Sequence, residues 1–195
     1  PPADTASALQ TIRLEAMRAA RIVGDLLTFS RPRALERRDT NLNQIVRETF
    51  SATPALSDHG AVWTLGLDPT LPAVSGDPEL IRQVITNLLV NAAHAMAGGP
   101  RREALVRTAW NAEWVTFEVL DSGPGAPPDQ LARVFEPFFT TKGPGQGTGL
   151  GLSISHGIIR AHGGDITGEN RDGGGARFSF RLPRDPTRIP RISHA

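Results

Sequence analysis

The 195-residue sequence contains no cysteine, which excludes disulfides and thiolate-held metal. It has no run of about 18 apolar residues, so no stretch reads as a helix spanning a bilayer. An excess of one charge is missing as well. Lys and Arg number 21 against 20 Asp and Glu, a formal +1. No global field draws the chain to nucleic acid or to a membrane surface. The opening "PPADTASALQ" has neither an initiator Met nor a signal-peptide pattern. The chain therefore reads as a piece of something longer, in a cytoplasmic setting. Membrane attachment of that longer protein stays open.

What is present suits one ordinary soluble domain with a smaller appendage, at 39% hydrophobic and 21% charged residues. Residues 8–30 read as a helix. Leu9, Ile12, Ala16, Ala19, Val23 and Leu26 are spaced 3-4-3-4-3, a coiled-coil-like seam. Pro32 ends it, because proline disfavours helix at the residue before it. Such a seam needs a partner, either the globular domain or another helix or chain.

A second helix is expected over Asn41–Ala52, and a strand over Ala61–Leu67. Asp77-Pro78-Glu79 opens a long helix to about Ala97, with an N-cap aspartate and proline at the first helical position. Glu103–Asp121 reads as two strands joined by a turn near Asn111. A long irregular stretch, Ser122–Thr148, is followed by a helix over Gly149–Ala161 and a hairpin turning at Asp172–Gly175. Loops of that length are usually functional. The fold class is α+β, with helices layered on a mixed, mostly antiparallel sheet.

Three stretches carry chemistry. In "LIRQVITNLLVNAAHAM" (Leu80–Met96), Leu80, Ile81, Val84, Ile85, Leu88, Leu89, Ala92 and Met96 share one apolar arc. Asn87, Asn91 and His94 form a polar stripe along its edge. An amide oxygen there suits Mg²⁺, which takes oxygen ligands together with phosphates. In "DSGPG", Asp121 leaves an apolar strand into glycines and can accept a hydrogen bond from an exocyclic amine. In "FEPFFTTK", Phe135, Phe138 and Phe139 anchor a loop and Lys142 reaches outward. "GPGQGTGLGLSIS" (Gly143–Ser155) then sets bare backbone before a helix start, a natural seat for phosphate. Neither the P-loop pattern nor the dinucleotide fingerprint occurs in that glycine-rich stretch. Taken singly, each stretch has a plainer reading: capping amides, an Asp-Gly turn, loop packing with an exposed lysine.

In this order the stretches resemble the ATP-binding catalytic domain of bacterial sensor histidine kinases, within the gyrase–Hsp90–kinase–MutL superfamily. "NLLVNAAHA" resembles the N box, "DSGPG" the G1 box, "FEPFF" the F box and "GQGTGLGLS" the G2 box. The wording is most similar to the nitrogen- and oxygen-sensing branch. The resemblance covers about Asp39 to Pro183 and implies a Bergerat-type ATP-binding fold. It implies Asn91 as the Mg²⁺ ligand and Asp121 on the adenine amino group, with Gly123 and Gly125 along the base. Thr141, Lys142, Gly145, Gly147, Thr148, Gly149, Leu150 and Gly151 would surround the phosphates. Asn87 stands where related ATPases carry a general-base glutamate, which favours transfer to a histidine over hydrolysis.

Residues 1–38 then resemble the second helix of a dimerisation and phosphotransfer hairpin plus its linker. Residues 39–183 would form the catalytic domain and 184–195 a loose tail. The implied partners are ATP, a phosphoacceptor-histidine helix, a response regulator and a second copy through residues 8–30. The sequence departs from the family in three places. The H-E-x-x-x-P acceptor motif is missing, and His59, His94, His156, His162 and His194 lie in other contexts. His156 and His162 are six apart, off one helix face, which speaks against a metal pair. His94 replaces a lysine or arginine, and Ala95 replaces an aromatic that stacks on the base. The remaining alternatives are a superfamily ATPase and a regulatory module that has lost catalysis.

Overall fold

The computed structural model describes residues 34–56, 60–141 and 147–185, with six helical or isolated positions before residue 17. The expected helix over 8–30 lies mostly outside the described residues, as do His59, Lys142, Gly145 and the tail beyond residue 185. The described elements run β1 (Arg38–Thr40), α1 (Leu42–Ala52), a 3-10 turn (Pro54–Leu56), β2 (Val62–Leu67), β3 (Val74–Gly76), α2 (Pro78–Met96), β4 (Glu103–Trp110), β5 (Trp114–Asp121), α3 (Pro128–Leu131), α4 (Gly151–Ala161), β6 (Asp165–Asn170) and β7 (Ala176–Pro183).

Local chemistry sets the helix starts. Asn41 caps α1 by accepting from the Gln44 N–H at 3.0 Å. Asp77 caps α2 by accepting from the N–H groups of Glu79 and Leu80, with Pro78 in the first turn. Five strands form one sheet in the order β2-β4-β5-β7-β6. Only β2 and β4 run parallel, and a parallel pair needs a crossover, which α2 supplies. β1 and β3 form a separate antiparallel pair. Three residues of polar chain gave β1 no alternation to read.

One sheet face is covered by α1, α2 and α4. The apolar arc of α2 is buried there, from Ile81 to Met96, with Leu80 partly buried against it. Phe117 and Phe180 face each other across β5 and β7 and stack at 5.1 Å. Truncating either to alanine would cost about 3–5 kcal/mol. On the opposite face Glu118 is nearly buried between two arginines. Arg107 reaches it at 2.9 Å, and Arg177 bonds it and then Glu169.

Candidate functional site

The polar stripe of α2 and the end of β5 open onto the same cleft, of about 990 Å³. Asn87, Asn91, His94, Asp121, Gly125, Thr141, Gly147, Thr148, Gly149 and Gly151 all line it. Gly123 and Leu150 do not. Gly123 packs on the last turn of α2, where an added Cβ would lie 2.9 Å from the Ala95 carbonyl oxygen. Leu150 is buried in the core, and its N–H donates to Thr148 Oγ1 at 3.3 Å.

Asp121 is 1% exposed. Its Oδ1 accepts from the N–H of Gly123 at 2.8 Å and of Ala176 at 3.2 Å. Burial pushes its pKa up, opposed by those two bonds and by the nearby Arg171. Among the described residues Oδ2 takes no protein hydrogen bond, so the carboxylate keeps acceptor capacity at the cleft.

Asn87 connects two helices. Its Nδ2 donates to Ser155 Oγ at 3.0 Å, and Ser155 Oγ donates to the Gly151 carbonyl at 2.9 Å. Asn91 Nδ2 points at Asn87 Oδ1 at 3.5 Å, a long contact. Gly151 must be glycine for this approach, since a Cβ there would lie 2.4 Å from Asn87 Oδ1. The first turn of α4 has no side-chain cap, and Gly151 and Leu152 border the cleft. Its N–H groups and dipole therefore favour an anion on that side.

The aromatic loop differs from expectation. Phe135 packs against the core and beside His156, and Phe139 sits under Arg133 at 4.7 Å while lining the cleft. Phe138 is no anchor. It is 66% exposed with φ of 64°, because its backbone rather than its ring meets Gly149.

Sequence reasoning missed three residues that shape the cleft. Asn170 grips the loop after Gly125, accepting from Ala126 N–H at 3.0 Å and donating to Ala126 O at 2.7 Å. Arg171 Nη1 donates to the Asp121 carbonyl at 2.7 Å. Ser155 holds Asn87. Only the turn glycines near Asn170 and Arg171 offered any local signal.

The donor set bears on a metal. Among the described residues no group of three or more His, Cys, Asp or Glu can hold one. A lone amide such as Asn91 fits Mg²⁺ brought in on phosphates, not a cation caged by protein alone.

Comparison with known proteins bears on the family. Residues 76–186 match the model of the histidine kinase-, DNA gyrase B- and HSP90-like ATPase family. The chain is 38% identical over 193 residues to the two-component sensor PprA of Pseudomonas aeruginosa, covering 90% of this chain and 20% of that protein. It is 35% identical over 170 residues to the sensor histidine kinase ZraS of Klebsiella oxytoca, covering 87% and 36%. It thus spans about a fifth and a third of the length of these two relatives. The nucleotide-free catalytic domain of histidine kinase ThkA superposes with a TM-score of 0.70 at 34% identity, over 78% of this chain and 98% of that one. ThkA in complex with the response regulator TrrA superposes at 0.80 and 30% identity, over 96% and 54%. The chain therefore belongs to the histidine kinase-, DNA gyrase B- and HSP90-like ATPase family, and within it carries the ATP-binding catalytic domain of the sensor histidine kinases.

Proposed function

We propose that this cleft binds Mg·ATP and donates its γ-phosphate to a histidine on a separate dimerisation helix. One observation carries the reading: Asn91 and Asp121 line the same cleft beside the uncapped start of α4. Asp121 accepts from the adenine amino group, with Gly125 along the base. Gly123 supports the base side from behind, through Ala95. Asn91 supplies an amide oxygen to Mg²⁺, which neutralises phosphate charge. Gly147, Thr148, Gly149 and Gly151 border the phosphates, with the N–H of Leu150 at the helix entry. Thr141, which lines the cleft, contacts them too, and Lys142 and Gly145 complete the phosphate-binding set. His94, exposed in the last turn of α2, donates to phosphate when protonated.

In the transfer step an imidazole nitrogen forms a bond to the γ-phosphorus. The bond to the β–γ bridging oxygen breaks, and ADP leaves with the electron pair. The imidazole gives its proton to solvent. A neutral imidazole already offers a lone pair, with pKa near 6.5. Asn87 carries no basic atom, so water is not activated there. The catalytic work left to this domain is positioning and charge neutralisation.

The same reading divides the chain. Residues 1–38 form part of a dimerisation hairpin and linker, 39–183 the catalytic domain and 184–195 a tail. Residues 8–30 pair with a second copy, and a response regulator takes the phosphate onward, as the ThkA–TrrA pairing supports. Nucleic acid is not a partner, and the chain works in the cytoplasm. Among the described residues no helix is long and apolar enough to cross a membrane.

The test mixes the chain, γ-labelled ATP and a separate hairpin bearing H-E-x-x-x-P. The expected outcome is acid-labile label on the hairpin, with little inorganic phosphate. ATP binding with no labelled acceptor would refute the kinase reading. No binding at millimolar nucleotide would favour a regulatory module.

A further inference from the structure

We infer that Ser155 is a positioning residue that aims the amide of Asn91 at the metal, acting through Asn87. Donor and acceptor directions fix this role, which rests on the Mg·ATP reading above. The carbonyl of Gly151 can only accept, so the single hydroxyl proton of Ser155 is committed to it at 2.9 Å. Ser155 Oγ must then accept from its other neighbour. That neighbour is Asn87, which therefore turns Nδ2 toward Ser155, at 3.0 Å. Fixing Nδ2 fixes Oδ1 on the opposite branch of the same amide. Asn87 Oδ1 is the atom that Asn91 Nδ2 approaches, at 3.5 Å. Asn91 in turn has its nitrogen directed down the helix and its oxygen on the other branch. Oxygen is the end a hard cation takes.

The chain of direction starts at a firmly held group. Ser155 is 1% exposed and sits one turn into α4, so its rotamer is set by packing. Gly151 closes the system, because any side chain there would displace the Asn87 amide. Outer-sphere partners of this kind orient ligands and commonly change metal affinity by tenfold or more. Asn87 thus has a function other than lacking a base: it transmits orientation from α4 to α2.

The test uses the full chain with a non-hydrolysable ATP analogue. Mn²⁺ binding is followed by electron paramagnetic resonance, and ADP binding is measured separately in EDTA. Ser155→Ala is expected to raise the Mn²⁺ half-saturation about tenfold, with ADP affinity in EDTA unchanged. Ser155→Thr keeps Oγ and is expected to bind Mn²⁺ as the wild type does. Equal Mn²⁺ affinity in wild type and Ser155→Ala would overturn the inference. So would a parallel loss of metal-free ADP affinity, which would mark general loosening of α4. A wild-type chain that takes nucleotide but no Mn²⁺ would overturn the magnesium reading itself, and this inference with it.

Discussion

His162 Nε2 accepts a hydrogen bond from the backbone N–H of Asp77 at 2.9 Å. The two residues stand at the end of α4 and the start of α2. A backbone N–H only donates, so Nε2 carries no proton. The proton sits on Nδ1 and goes to the Ile158 carbonyl at 2.8 Å. The ring is 1% exposed. It joins the two helices whose opposite ends frame the cleft, and the chain entering from the N-terminal side ties in beside it. Arg37 donates to the Ala161 carbonyl at 2.9 Å, and the Glu36 N–H donates to Asp77 Oδ2 at 3.1 Å.

This pairing requires a neutral ring, which gives a pH dependence. Burial lowers the His162 pKa, the Ile158 bond opposes that, and nearby Arg37 lowers it further while Asp77 raises it. The unfolded chain therefore binds more protons than the folded one below about pH 6.5. Stability is fully present above that value and falls as the pH drops beneath it. Thermal melts from pH 8 to pH 5 should show a plateau and then a decline. His162→Leu, which offers no acceptor, should flatten the decline and lower stability at pH 8 by about 1–3 kcal/mol, through the unsatisfied Asp77 N–H. A residual slope is expected from His156, whose pKa is also lowered, chiefly by burial. An unaltered decline in the variant would show that His162 is not the titrating group.

Glycines of the α4 region divide by what surrounds them. Gly149 has φ of +68°, and a Cβ there would lie 2.4 Å from the Phe138 carbonyl carbon. Phe138 is itself left-handed and cannot yield cheaply. Gly149→Ala should therefore destabilise by at least about 1–2 kcal/mol from the backbone alone, with steric cost added. Gly157 lies within α4 with nothing within 4 Å of its Cβ position. Gly157→Ala should stabilise by about 0.5–1 kcal/mol. Urea midpoints of the two variants should move in opposite directions. A shared direction would contradict this account of the loop.

The chain's local grammar made most of the fold legible. Asp77-Pro78 gave the start of α2 because capping is decided within four residues. The alternation through Phe117 gave β5 because one sheet face is buried. β1 and β3 escaped because three-residue strands carry no period. In the site, Asn91 and Asp121 were readable from motifs. Ser155, Asn170 and Arg171 were not, since each works on a partner 44 to 68 positions away. Phe138 misled because an aromatic in a loop looks like an anchor, whereas its backbone makes the contact.

Asp121 provides the sharpest separation of structure from binding. Alanine would strip Oδ1 from two N–H groups and confound stability with affinity. Asparagine keeps an oxygen for Gly123 and Ala176 and puts an amide nitrogen in place of Oδ2. An adenine amino group would then meet a donor instead of an acceptor. Removing the carboxylate also relieves the burial that raises its pKa, so folding should not suffer. Asp121→Asn should melt within a few degrees of the wild type. Its ATP affinity should fall by about 1.5–3 kcal/mol, the range for hydrogen bonds to charged groups, or roughly ten- to a hundredfold by calorimetry. Inosine nucleotides, which present a carbonyl where adenine has its amino group, should lose much less on the same substitution. Equal losses for ATP and its inosine analogue would place the base elsewhere in the cleft.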